Sequence, residues 1–128
     1  MLIVTDGTGE VTIMAQSIAK ALNGNKVLIK DAPAFAGTDL LAADVFFIGC
    51  EAPAPISFSY LEEMLQHINL AGRNCGIFSP SSQKAVQYLK KILKSSEAAI
   101  RAEPLFADSS FNIEEWAAGA PAIPKEKP

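Results

Sequence analysis

Apolar and polar positions along this chain alternate between two periods. Short apolar runs stand at Met1–Thr5, Lys26–Lys30, Asp44–Gly49, Asn74–Phe78 and Glu103–Ala107. Such runs, bounded by Gly, Pro, Asn or Asp, predict β-strands. Between them the apolar residues recur every three or four positions. Val11, Met14, Ala15, Ile18, Ala19 and Leu22 form one stripe; Tyr60, Leu61, Met64, Leu65 and Ile68 form another. Val86, Leu89, Ile92 and Leu93 form a third, with Lys84, Lys90, Lys91 and Lys94 on or near its wet side. These stripes predict amphipathic helices. Tyr60 reads as a core residue at the start of its helix. Asn23-Gly24-Asn25 suits the left-handed end of the first helix, and Gly72 closes the Tyr60–Ile68 segment. Thr38–Ala43 has room for about one helical turn, and Cys50–Ser59, with its prolines, reads as a loop.

The run Asp44–Gly49 is apolar on both faces, as a central parallel strand requires. Strands alternating with helices imply a parallel sheet covered on both sides, and right-handed crossovers leave few doubly wound orders. The last strand contains Pro104, which an edge tolerates. Ile113–Gly119 holds only a stub of helix. Residues 1–119 thus form one α/β domain, and 120–128 a Pro- and Ala-rich tail. A shortened last helix leaves one sheet face thinly covered. The tail or a second copy of the chain is expected to cover it, with Trp116 buried in that contact.

With 128 residues, 49% of them hydrophobic, the chain is long enough for a substantial core. The net charge of −3 comes without a basic block, which disfavours a nucleic-acid surface. No stretch reaches the roughly 18 apolar residues of a membrane span, and the N-terminus lacks a basic leader. A cytoplasmic protein is expected. Cys50 and Cys75 are isolated in sequence and His67 is the single histidine. Neither a metal-ligand spacing nor a His-rich site results, and two buried thiols in a reducing compartment are expected.

Candidate chemistry concentrates after the first strand. Asp6-Gly7-Thr8-Gly9-Glu10 is a tight Gly-rich turn between a strand and a helix. At such a turn unpaired backbone N–H groups and the helix dipole converge on an anion. The turn is also explicable without a ligand: Asp6 or Thr8 caps the helix and Glu10 sits favourably in its first turn.

Three passages resemble the flavodoxin family, over roughly residues 1–117. Asp6-Gly7-Thr8-Gly9-Glu10-Val11 is similar to that family's phosphate loop, Thr/Ser-x-Thr-Gly-x-Thr. Leu40–Pro53 resembles its passage of leucine-rich turn, Asp, apolar strand and Gly-Ser-Pro-Thr, and Leu70–Phe78 its "L-x-G-K, apolar strand" passage. The resemblance implies a five-stranded parallel sheet of order 2-1-3-4-5, a flavodoxin-like three-layer sandwich. It implies non-covalent FMN and electron transfer with a redox partner protein. The implied phosphate contacts are Asp6, Gly7, Thr8, Gly9, Glu10, Val11 and Thr12. The flavin ring would lie between Cys50, Glu51, Ala52 and Pro53 on one side and Ser79, Pro80, Ser81 and Ser82 on the other.

The loop departs from that pattern where charge matters. Asp6 replaces a hydroxyl residue, Val11 replaces a second one with Thr12 following it, and Glu10 adds another carboxylate. A phosphate about 5 Å from Asp6 would be repelled by roughly 3 kcal/mol per charge pair at an effective dielectric of about 20. A helix N-terminus returns about 1–2 kcal/mol, plus its hydrogen bonds. The alternative is therefore a flavodoxin-like interaction or regulatory domain that has lost its flavin. Other chemistries are disfavoured. Ile56 and Ser81 occupy the positions where a Cys-x5-Arg loop needs arginine, and no Gly-x-Ser-x-Gly elbow exists. A phosphoacceptor Asp is missing after the third strand, where Cys50-Glu51 stands.

Overall fold

Successive side chains of the first strand leave on opposite sides. In β1 (Leu2–Thr5), Leu2 and Val4 enter one core and Ile3 the other. The third strand, β3 (Val45–Gly49), repeats this: Phe46 and Ile48 face the first core, Val45 and Phe47 the second. Every residue of both strands is buried, as expected for a sheet covered on both faces. The computed structural model describes residues 1–22, 26–32, 37–100, 103–107, 113 and 115–117. The expected helix end at Asn23–Asn25 and the tail from 120 to 128 lie outside these residues.

The remaining elements are α1 (Gly9–Ala21), β2 (Leu28–Asp31), α2 (Gly37–Ala42), a 3₁₀ turn at Ile56–Phe58, α3 (Ser59–Leu65), β4 (Asn74–Ser79), α4 (Gln83–Lys94), β5 (Ala99–Ile100) and β6 (Leu105–Phe106). All pairings are parallel and the order is β2-β1-β3-β4-β5, as the resemblance implied. An additional short strand, β6, also pairs with β4. The first core takes Leu40 of α2, Leu61 and Leu65 of α3, and Val86, Leu89 and Leu93 of α4. The second takes Val11, Met14, Ala15 and Ile18 of α1 together with Trp116 and Ala117. The four lysines of α4 are exposed. Among the described residues, no helix is long and apolar enough to cross a membrane.

Two short strands share the fifth position: β6 lies within the expected Glu103–Ala107, whereas β5, Ala99–Ile100, was not expected. From the Cys75–Ile100 pair to the Phe78–Leu105 pair, β4 advances three residues while the edge advances five. Pro104, with no N–H for the ladder, precedes the second half. The interruption carries the edge on to the C-terminal end of the sheet. There the Ala107 N–H donates to the Pro80 carbonyl at 2.9 Å.

The 3₁₀ turn changes which aromatic is inside. It is built on the Phe58 N–H donating to the Pro55 carbonyl at 2.9 Å. Phe58 is fully buried and Tyr60 is 60% exposed, which corrects the expectation for Tyr60. The Tyr88 hydroxyl donates to Glu62 at 2.5 Å and pins α4 to α3 beneath this segment.

Candidate functional site

Parallel strands end on the same side, so β1, β3 and β4 deliver their following turns to one edge. The β1 turn is organised by two carboxylates. Thr5, fully buried, donates its hydroxyl proton to Asp31 Oδ1 at 2.8 Å and accepts the Gly7 N–H at 3.2 Å. Gly7 has φ +84°, a conformation that suits glycine, and its pro-Cβ position lies 3.7 Å from the Asp31 carboxylate. Asp6 Oδ1 accepts both the Thr8 N–H, at 3.0 Å, and the Thr8 hydroxyl, at 2.7 Å. Asp6 Oδ2 accepts the Glu51 N–H at 2.8 Å. The Asp6 side chain therefore ties the β1 turn to the β3 turn, 45 residues away. The Ser57 hydroxyl adds a contact to the Asp6 carbonyl at 3.4 Å.

The expected helix cap is not made. Thr8 occupies the N-cap position of α1 with extended backbone, yet its side chain bonds no helical N–H. Its hydroxyl proton goes to Asp6 instead. The Thr12 N–H and hydroxyl both turn back to the Thr8 carbonyl, at 3.0 and 2.8 Å. The N–H groups of Gly9, Glu10 and Val11 are the first-turn donors that the helix cannot satisfy. No acceptor for them is found among the described residues. A Cβ on Gly9 would meet nothing within 4 Å, so packing does not explain glycine there. Val11 points its side chain into the core, while Glu10 is exposed.

The β4 turn is largely self-contained. Ser79 is fully buried and its hydroxyl accepts the Ser82 N–H at 3.4 Å. Ser82 caps α4 by accepting the Ala85 N–H at 3.0 Å. Ser81 is the one of the three serines left exposed, beside buried Pro80. A cavity of about 450 Å³ opens between this turn and the start of α1, lined by Glu10, Ile13, Met14, Pro80, Ser81 and Ala107. Glu10, Pro80 and Ser81 were candidates from the sequence. Met14 was read only as part of a helix stripe and Ala107 as strand, and Ile13, 63% exposed, was not singled out. Cys50, Glu51, Ala52 and Pro53 do not line this cavity. Glu51, Ala52 and Pro53 are exposed on the β3 turn, held there through Asp6 and the buried Phe58.

Both thiols are buried. Burial, with a smaller contribution from the negative charge of Asp6, pushes the Cys50 thiol from 9.0 up to about 12. Burial alone raises Cys75. Neither is an activated nucleophile. A raised thiol pKa favours the protonated form in the folded state. Between about pH 9 and 12 the unfolded chain binds fewer protons, so stability falls as pH rises, by about 1.4 kcal/mol per pH unit per thiol. The stability deficit of Cys50→Ala relative to the parent protein should thus narrow by about 1.4 kcal/mol between pH 7.5 and pH 10. Urea unfolding at the two pH values measures it, and an unchanged deficit would contradict the assignment.

No protein-family model matches the chain, and no curated protein matches it in sequence. Solved structures do match. A flavodoxin from Streptococcus pneumoniae TIGR4 superposes with a TM-score of 0.80 at 21% identity, covering 94% of this chain and 96% of that one. Flavodoxin 1 of Bacillus cereus gives 0.79 at 18% identity, covering 96% and 97%. A Fusobacterium nucleatum flavodoxin bound to flavin mononucleotide gives 0.69 at 12%, covering 91% and 93%. The fold is flavodoxin-like.

The groups present fit one part of FMN and not the other. Open space above Gly9, three N–H groups and an apolar-walled cavity suit a flat ring with a hydroxylated chain. The phosphate does not fit. Thr8 has given both its donors to Asp6, whose carboxylate is braced between two turns and cannot rotate away without breaking those bonds.

Proposed function

We propose that this chain binds a flavin at the C-terminal edge of its sheet and exchanges electrons with a redox partner protein. The observation that carries this reading is a cavity of about 450 Å³ beside the uncapped first turn of α1, to whose lining that turn contributes Glu10. That size is ordinary for a small-molecule site, and the ends of strands are where open α/β sheets place ligands. A bound flavin would supply the one- and two-electron chemistry. The Gly9–Val11 N–H groups orient the polar chain of the ligand. Met14, Ile13 and Pro80 exclude water from one face of the cavity, and Ser81 offers a hydroxyl at its rim. Exposed Glu10 and Glu51, with the net charge of −3, favour a partner that presents a basic docking face.

An absorbance spectrum of the purified protein, alone and with riboflavin or FMN added, tests the reading. A shifted flavin band with quenched fluorescence is expected. A colourless protein that alters neither flavin's spectrum removes it.

Gly9 separates binding from folding. Its helical position has space for a methyl group, so Gly9→Ala should stabilise the fold by up to about 0.5–1 kcal/mol. The same methyl enters the approach to the three N–H groups, and flavin affinity should fall roughly five- to tenfold. Thermal melting and flavin titration of one variant check both signs. Unchanged affinity would place the ligand elsewhere.

A further inference from the structure

We propose that the flavin preferred by this site carries no phosphate, and that Asp6 sets the preference. This rests on the flavin reading above and names its ligand class: a neutral flavin ending in a hydroxyl, of which riboflavin is the simplest.

The β1 turn already contains its anion. Asp6 receives three hydrogen bonds, two from Thr8 and one from the Glu51 N–H. Asp31 stands on the other side of the turn, bonded to Thr5 and 3.7 Å from the pro-Cβ position of Gly7. Glu10 follows in the first turn of the helix. The β1, β3 and β4 turns themselves hold no Lys or Arg; Lys30, next to Asp31, pairs with Asp39 at 3.6 Å, and Lys84 lies in the first turn of α4. A phosphate monoester would bring up to two more negative charges among three carboxylates.

A hydroxyl group meets the same surroundings differently. It donates as well as accepts. A carboxylate offers about four lone-pair sites, and three of those on Asp6 are used. The fourth can accept the proton of a ligand hydroxyl, whose oxygen can accept in turn from an N–H of Gly9, Glu10 or Val11. A phosphate dianion has no proton to give Asp6, so it loses this bond and gains repulsion.

The test is a pair of titrations, riboflavin and FMN, followed by quenching of flavin fluorescence in the full chain. The parent protein should bind riboflavin at least tenfold more tightly than FMN. Asp6→Thr, which restores a hydroxyl and removes the charge, should move the affinity ratio at least tenfold toward FMN. Asp6→Asn keeps the side-chain shape and should move the ratio in the same direction, so the test survives if the threonine variant folds poorly. The Trp116 emission of each variant reports whether the fold is intact. Tighter binding of FMN than riboflavin by the parent protein overturns the proposal, as does a ratio unchanged in both variants. Those outcomes leave flavin binding itself standing. Binding of neither flavin overturns both.

Discussion

Replacing Trp116 with alanine is expected to cost about 3–5 kcal/mol of stability, the usual scale for removing a large buried aromatic. The melting temperature should fall by roughly 10–20 °C for a domain of this size. The indole is 6% exposed. Its ring lies 5.4 Å from that of Phe47, tilted by 44°, and its Nε1–H donates to the Glu103 carbonyl. It also covers Gly76, whose added Cβ would stand 3.1 Å from the indole. The indole therefore completes the cover that α1 and Ala117 give this face of the sheet, and it ties β4 to the segment leading into β6. Trp116→Phe keeps the ring but loses the hydrogen bond, and should cost only about 1–2 kcal/mol beyond any repacking. Because Trp116 is the single tryptophan, its emission is a direct check. A native emission maximum at short wavelength that moves to the solvent value on unfolding is expected. A solvent-like native maximum, or an alanine variant that melts with the parent, would show that the indole does not close this face.

The order of the sheet was legible because its signal is local and repeated. Runs such as Val45–Gly49 are apolar throughout, and helical stripes such as Val11–Ile18 separate them. β5 escaped notice because Ala99–Ile100 is two residues long with one β-branched side chain, and its strand character comes from pairing with Asn74 and Cys75. Tyr60 was misplaced because a 3₁₀ turn shifts the phase of the stripe. Pro55 was the available hint, since a turn built on its carbonyl puts Phe58 inside. At the site, the excess of carboxylates in the β1 turn was visible, but its geometry was not. A threonine two residues after an aspartate reads as a helix cap. Only the fold shows that Thr8 serves Asp6 and that Asp6 serves Glu51, because the second contact spans 45 residues. The buried Thr5 had a weaker signal still, a lone hydroxyl at the end of an apolar strand.

Gly49→Ala should also destabilise the fold, for the opposite reason. Gly49 ends the central strand β3 and pairs in register with Phe78 of β4. A Cβ there would stand 2.4–2.5 Å from three carbons of the Phe78 ring. Phe78 is fully buried in the core with Val11 and Leu105, so its ring has little room to retreat. Overpacking of this kind costs about 1–3 kcal/mol, occasionally more, against which the lower unfolded-state entropy of alanine returns only about 0.5–1 kcal/mol. A net loss of about 1–2 kcal/mol is expected from urea unfolding. Reducing the ring should relieve it: in Gly49→Ala with Phe78→Leu, the two losses should be less than additive by about 1 kcal/mol or more, as for residues in direct contact. The consequence extends to the site, because Gly49 leads into Cys50 and Glu51, and Phe78 leads into Ser79 and Pro80. Pushing the two strands' ends apart moves the β3 and β4 turns relative to each other. Flavin affinity should therefore fall in the single variant and recover partly in the double variant. Strict additivity of the two substitutions would show that the ring yields freely and that glycine at this position serves another purpose.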